Sequence, residues 1–283
     1  MKLSEKSYAK INLHLAIGPK RKDNFHDIQS IFAKIDLYDI IEIEVFESDL
    51  LDIEIKGLEA CEIKGEDSIS KAIRLWCEKT KINLKIKVFI DKQIPIQAGL
   101  GGGSSNAATV LKMLNDCFKD RALKDNELLE ISLKVGSDVP FFLYNTTFAY
   151  VEGQGEIITP LDADFDYGIY LVKPSFGVST KGAFDKLDSI DRKKLTTKDK
   201  IIRIFNEGLS SWKENFYNDF ELVVNSEILS AMKSEESCFS LLSGSGSTCF
   251  CVYNKLDNCY QKFTFYRKFK HKNYTKSCFF SNI

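Results

Sequence analysis

Gly99-Leu100-Gly101-Gly102-Gly103-Ser104-Ser105 is the segment best suited to chemistry. Glycines let backbone N–H groups approach a polyphosphate, and a helix beginning there adds partial positive charge. The hydroxyls of Ser104 and Ser105 suit phosphate oxygens or a magnesium ion. The loop is not a Walker A motif, because no Gly-Lys-Ser/Thr closes it. Nor is it the dinucleotide fingerprint, since Asn106 stands where a third glycine belongs. A flexible turn is the plain alternative, but three consecutive glycines at a helix start favour phosphate binding.

Asp138 lies in Gly136-Ser137-Asp138-Val139-Pro140-Phe141-Phe142. Apolar neighbours would partly desolvate its carboxylate and raise its pKa, as a general base requires, whereas an Asp before Pro140 also suits a turn. Lys10 lies among apolar residues in Ala9-Lys10-Ile11-Asn12-Leu13. It either reaches Asp138 or points to solvent. Phe25 and His26 form an aromatic pair able to stack on a nucleobase and hydrogen-bond to it, or simply to pack in a core.

These residues need a scaffold, and the composition allows a large one. The 283 residues are 44% hydrophobic and 28% charged, with 39 Lys+Arg against 40 Asp+Glu. Two domains are expected, without a chain-wide basic surface for nucleic acid. No run is apolar enough to span a membrane, and the first residues make a poor signal peptide. Eight cysteines occur with no Cys-x-x-Cys pair and only three histidines, so neither zinc nor disulfides are expected. Buried free thiols and a cytoplasmic location follow.

Residues 11–17, 31–35, 40–46, 51–55, 84–90, 147–152, 169–173 and 249–253 read as strands, several alternating apolar and charged side chains. Helices are expected over 68–80, capped by Asp67, after the glycine loop, and over 126–134. Charged helices and loops are expected over much of 185–236. The order favours an α+β layout. An acidic, proline-containing stretch at 160–166 suits a domain boundary.

Tyr8-Ala9-Lys10-Ile11-Asn12-Leu13, the run Gly99 to Ala108, Gly136 to Phe142 and Ser243-Gly244-Ser245-Gly246 strongly resemble the GHMP kinases. Gly153-Gln154-Gly155-Glu156-Ile157 and Asn218-Asp219-Phe220-Glu221 agree. The opening segment, the Phe25-His26 pair and the segment around Asp138 narrow the resemblance to a branch of the non-mevalonate isoprenoid pathway. That branch phosphorylates the 2-hydroxyl of a diphosphocytidyl sugar alcohol.

The resemblance implies a two-domain α+β GHMP kinase fold. Residues 1–160 would form an ATP-binding domain like domain 2 of ribosomal protein S5, and 161–283 a ferredoxin-like domain. It also implies a left-handed β-α-β crossover, against the usual rule. ATP with Mg²⁺ would lie along Pro95, Ile96, Gln97, Ala98, Gly99, Leu100, Gly101, Gly102, Gly103, Ser104 and Ser105. Asp138 would be the base and Lys10 its charged neighbour. Asn12, Phe25 and His26 would hold the cytidine diphosphate, Ser179 and Thr180 would line the substrate channel, and Gly244, Ser245 and Gly246 would back its phosphates. The partner would be that small molecule, with no nucleic acid or membrane, in a monomer or homodimer.

Phe25 stands where this branch usually has tyrosine, keeping a stacking face and losing a hydroxyl. The basic, aromatic run 265–272 reads as a solvated edge strand or terminal helix rather than a nucleic-acid or membrane patch. Three rivals remain: a GHMP kinase for mevalonate, phosphomevalonate, homoserine or a sugar, a non-catalytic nucleotide-binding protein, and a basic-tail nucleic-acid binder, which would show steep salt dependence. Phe25-His26 speaks against the first, and retention of Lys10 with Asp138 against the second.

Overall fold

The computed structural model describes residues 1–59, 65–174, 176–192, 194–224, 227–233, 238–254 and 275–282. In chain order the elements are β1 (Lys2–Lys20), β2 (His26–Glu47), β3 (Asp52–Lys56), α1 (Ser68–Thr80), β4 (Leu84–Asp91), α2 (Gly102–Cys117), α3 (Asp125–Val135), α4 (Val139–Leu143), β5 (Phe148–Gly153), β6 (Ile157–Leu161), β7 (Tyr167–Pro174), α5 (Thr180–Leu187), α6 (Lys198–Glu207), α7 (Leu209–Asn215), α8 (Glu227–Lys233), β8 (Cys238–Leu242), β9 (Cys249–Asn254) and β10 (Thr275–Asn282). The expected α+β class is observed. The chain packs as two compact units, one of residues 1–9, 37–96 and 101–145, the other of residues 10–36, 97–100 and 146–283.

In the first unit, β3 runs parallel to β4 and is joined to it by α1, and β4 pairs antiparallel with the second half of β2. Alternation decides what is buried. Ile41, Ile43 and Val45 of β2 and Leu84, Ile86, Val88 and Ile90 of β4 are buried, while Glu42 and Glu44 are not. The Asp67 carboxylate starts α1 by accepting from the backbone N–H groups of Ile69 and Ser70, both at 2.9 Å. Lys81, at φ 60°, ends it. Ile69, Ala72, Ile73 and Trp76 form the inward face of α1. Trp76 is fully buried, so truncating it to alanine would cost about 3–5 kcal/mol.

In the second unit, the first half of β2 pairs antiparallel with β5, and β5 with β6. A second, antiparallel sheet has the order β10-β7-β9-β8. Numbered within the sheet that is 4-1-3-2, the ferredoxin-like order that the resemblance implied. Phe165, Phe205 and Trp212 pack edge-to-face and stacked beneath it, with centroids 5.2–5.8 Å apart.

Two expectations need correction. The strands read at 31–35 and 40–46 are one continuous strand of 22 residues. It survives Asp36 and Asp39 because buried Asp39 finds hydrogen-bond partners 53–55 residues away. Residues 157–161, not read as a strand, form β6, an edge strand where Pro160 has no second ladder to break. Cys77, Cys117, Cys249 and Cys251 are buried free thiols, as expected. Cys61, Cys259 and the run 265–272 lie outside the described residues. Among the described residues, no helix is long and apolar enough to cross a membrane.

Candidate active site

In the second unit, β1 carries Lys10 and Asn12, both buried. Lys10 Nζ donates to Asn12 Oδ1 at 2.8 Å and lies 4.3 Å from the Phe32 ring centroid, a cation–π contact that offsets part of its desolvation. Asn12 Oδ1 also accepts from the Gly244 N–H at 2.9 Å, and its Nδ2 donates to Ser30 Oγ at 3.0 Å. Asn12 therefore spends its amide on Lys10, β2 and the 243–247 loop.

The 243–247 loop meets the first part of the glycine run through backbone. Gly99 sits at φ +75°, and a Cβ there would lie 2.1 Å from the Ser243 carbonyl oxygen. Only glycine fits. Ser243 Oγ donates to the Gly99 carbonyl at 2.8 Å, Thr248 N–H to the Ala98 carbonyl at 3.3 Å and Lys10 N–H to the Leu100 carbonyl at 3.0 Å. Gln97 also takes a left-handed conformation, at φ 51°.

Residues 218–221, noted in the sequence only as part of a resemblance, are clamps. Asn218 Nδ2 donates to the carbonyls of Leu242 and Gly244 at 2.7 and 2.8 Å. Asp219 accepts from the Ile17 N–H at 2.7 Å, and Glu221 from the Leu242 N–H at 2.9 Å. Ser179 caps α5, its Oγ accepting from the Gly182 N–H at 3.2 Å, and Thr180 Oγ1 lies 2.9 Å from Ser245 Oγ. Thr180 with Ser245, and Gly244 with Asn12 and Lys10, thus form two hydrogen-bonded groups joined by the Gly244–Ser245 peptide bond, to which Ser179 adds only by position.

Phe25 and His26 part company. Phe25 is 51% exposed, while His26 is buried, stacked on Phe184 and 2.7 Å from Asp188. Asp188 and Phe184 carried no sequence signal, because nothing local marks a partner 162 residues away.

In the first unit, Gly101, at φ 69°, begins α2 with no side-chain cap and no acidic residue in the first turn. The leading N–H groups of this helix remain for an anion. Gly103 is exposed and Ser104 half-buried, whereas Ser105 is buried, with Ser7 Oγ 2.7 Å from both Ser105 Oγ and Asn106 Oδ1. Lys92, which the sequence reading passed over, stands at this helix start. A Cβ on Gly102 would lie 3.3 Å from Lys92 Nζ. Fully buried Asp39 holds that ammonium at 2.6 Å and accepts from the N–H groups of Gln93 and Ile94, both at 2.8 Å. A lysine just before the proline of a glycine-rich loop was the available signal. Pro95 and Ile96 follow, the latter 41% exposed.

Asp138 immediately precedes α4, is half-buried and makes no side-chain cap to that helix, while Val139 and Phe141 behind it are fully buried. Asp138 belongs to the first unit and Lys10 to the second. Among the described residues, no group of three or more His, Cys, Asp or Glu side chains could hold a metal ion.

Comparison with known proteins gives concordant results. Residues 67–146 match the family described as GHMP kinases N terminal domain. A 4-diphosphocytidyl-2-C-methyl-D-erythritol kinase of Clostridium tetani is 37% identical over 269 residues, 91% of this chain and 94% of that protein. Its namesake in Thermodesulfovibrio yellowstonii is 37% identical over 279 residues, 93% of this chain and 94% of that one. A crystal structure of 4-(cytidine 5'-diphospho)-2C-methyl-D-erythritol kinase superposes with a TM-score of 0.76 at 24% identity, covering 99% of this chain and 98% of that chain. A mevalonate kinase of L. major follows at 0.70 and 15%, over 100% and 96%. At these identities the structures speak for the fold alone.

Proposed function

This chain belongs to the 4-diphosphocytidyl-2-C-methyl-D-erythritol kinases within the GHMP kinases, and from that premise we propose its reaction: ATP-dependent phosphorylation of the 2-hydroxyl of 4-diphosphocytidyl-2-C-methyl-D-erythritol. The observation that supports this substrate over a smaller alcohol is the exposed Phe25, an apolar face for stacking, next in the chain to His26, whose ring is anchored by Asp188. Mevalonate, homoserine or a sugar would bring no base to stack there.

In this reading the uncapped start of α2 receives the ATP phosphates, and Lys92 adds a positive charge there. The N–H groups at that start suit phosphate oxygens, and the half-buried Ser104 hydroxyl is the group there that would meet Mg²⁺, which would offset the polyphosphate charge. The substrate hydroxyl oxygen forms a bond to the γ-phosphorus while the bond from that phosphorus to the β–γ bridging oxygen breaks, and ADP leaves. Asp138 accepts the hydroxyl proton, and Lys10 stabilises the charge on the attacking oxygen and moving phosphoryl group. Ser245 and its neighbouring glycines back the substrate phosphates. Division at residue 160 into an ATP-binding domain and a second domain belongs to the same reading.

Purified protein given Mg²⁺, ATP and the diphosphocytidyl alcohol, with mevalonate and phosphomevalonate in parallel, tests this directly. Phosphate on the diphosphocytidyl compound alone is expected. Transfer only to a mevalonate compound would overturn the substrate assignment while keeping the kinase chemistry.

A further inference from the structure

His26 is held from two sides. Its Nε2 lies 2.7 Å from Asp188 Oδ1, and its ring stacks on Phe184 with centroids 4.9 Å apart and planes 20° from parallel. The His26 side chain is 6% exposed, and the Asp188 carboxylate, 24% exposed, also meets Lys20 Nζ at 3.4 Å. Burial would raise the Asp188 pKa, but the bonds from His26 and Lys20 outweigh it and hold that carboxyl below its ordinary value. An ionised carboxylate only accepts. In a neutral ring, Nε2 must then carry the proton, which leaves Nδ1 as an acceptor. Nδ1 has no hydrogen-bond partner among the described residues, and it is not one of the buried atoms left unpaired. It is the ring atom left to meet a ligand.

The geometry points to Asp188 as a positioning residue that locks His26 in its Nε2–H tautomer, so that Nδ1 selects a pyrimidine offering an N–H, the 4-amino group of cytosine, over one offering a carbonyl there. This inference rests on the proposed reaction for its ligand. Cytosine presents N4–H₂ as a donor where thymine, and uracil with the same ring pattern, presents an acceptor oxygen. A lone pair on Nδ1 attracts the first and repels the second. Without Asp188 both tautomers are populated, and a ring protonated on Nδ1 tolerates the carbonyl. A merely structural Asp188, pinning the end of α5, would instead weaken all ligands and thermal stability together.

Two readouts separate these roles. ¹⁵N-detected imidazole spectra of the full chain at pH 8 report the tautomer directly. The chain has only three histidines, and His26→Gln identifies the signal. Nε2–H is expected in the unaltered protein and a mixture in Asp188→Ala. In calorimetry, CDP should bind more tightly than UDP. Losing a hydrogen bond to a charged group should narrow that gap about tenfold in Asp188→Ala. In kinetics, KM for the diphosphocytidyl substrate should rise by a similar factor, with kcat and KM for ATP within about twofold, and Asp188→Glu should recover part of the loss.

An Nδ1–H tautomer in the unaltered protein, or an unchanged CDP/UDP ratio in folded Asp188→Ala, overturns the proposal. If that variant does not fold, Asp188→Asn keeps the size and releases the lock, because its amide can donate to Nε2 as well as accept. A protein that phosphorylates only a smaller alcohol and binds neither CDP nor UDP sinks the substrate reading and the selectivity with it. The tautomer spectrum would then still decide whether Asp188 sets the ring.

Discussion

Asn12 Oδ1 accepts two hydrogen bonds at once, from Lys10 Nζ at 2.8 Å and from the Gly244 N–H at 2.9 Å. One buried amide oxygen thus sets the position of an ammonium and of a loop 232 residues away. Asn12→Ala leaves a buried cation and an N–H without this acceptor, a loss of about 2–3 kcal/mol. Urea unfolding should show a lower midpoint at unchanged slope, and kcat should fall more than tenfold. A kcat within twofold of the unaltered enzyme would show that Lys10 does not depend on Asn12.

Gly99 and Gly103 should respond differently to alanine. At Gly99 the added Cβ meets the Ser243 carbonyl oxygen at 2.1 Å, with φ at +75°. Gly99→Ala should cost more than about 3 kcal/mol or prevent folding, since backbone cannot retreat as a side chain can. At Gly103 the nearest atom is Ser68 Oγ at 3.1 Å. Gly103→Ala should keep its melting temperature and raise KM for ATP, by crowding the approach to the helix start. Equal thermal losses in the two variants would contradict this.

Asp138→Asn keeps the size of a half-buried residue that does not cap its helix. If Asp138 is the base, kcat should drop about 10²–10⁴-fold, with circular dichroism and melting temperature unchanged. Activity surviving within a few-fold would remove it from the mechanism.

Burial pushes the Cys77 thiol up to about 12. Alkylation requires the thiolate, so at pH 8 Cys77 should resist iodoacetamide in the folded protein and react once urea is added. Peptide mapping by mass spectrometry reads this site separately from the other cysteines. Modification of Cys77 at the rate of an exposed thiol would contradict its burial in α1.

Asp188 gives a pH signature. Its folded pKa lies below the ordinary 3.8, held there by His26 and Lys20 against the opposing effect of burial. Its contribution to stability is therefore present above that ordinary value and lost as pH falls through the folded one. The stability difference between the unaltered protein and Asp188→Asn should close as pH falls below 4. Unfolding curves at each pH check it, and a gap that widens in acid would reverse the assignment.

The amino-acid sequence determined whatever depends on neighbours a few residues apart. α1 lies over residues 68–80 as read, because Asp67 caps it and its apolar residues recur at helical spacing. The alternating runs became strands, and the glycines lie at a helix start because a strand-to-helix junction is written in local residue types. Phe25, His26, Lys10 and Asp138 were all visible as candidates for the same reason.

Tertiary structure alone decided what those candidates touch. His26 finds Asp188 across 162 residues, Asp39 finds Lys92 across 53, and Asp219 reaches the backbone of Ile17 across 202. Continuity of β2 through two aspartates and the edge position that tolerates Pro160 in β6 belong to the same class. The physical reason is common to all of them. Helical period and capping are satisfied within one or two turns of chain, but a buried polar group must be paired by whatever the fold brings to it.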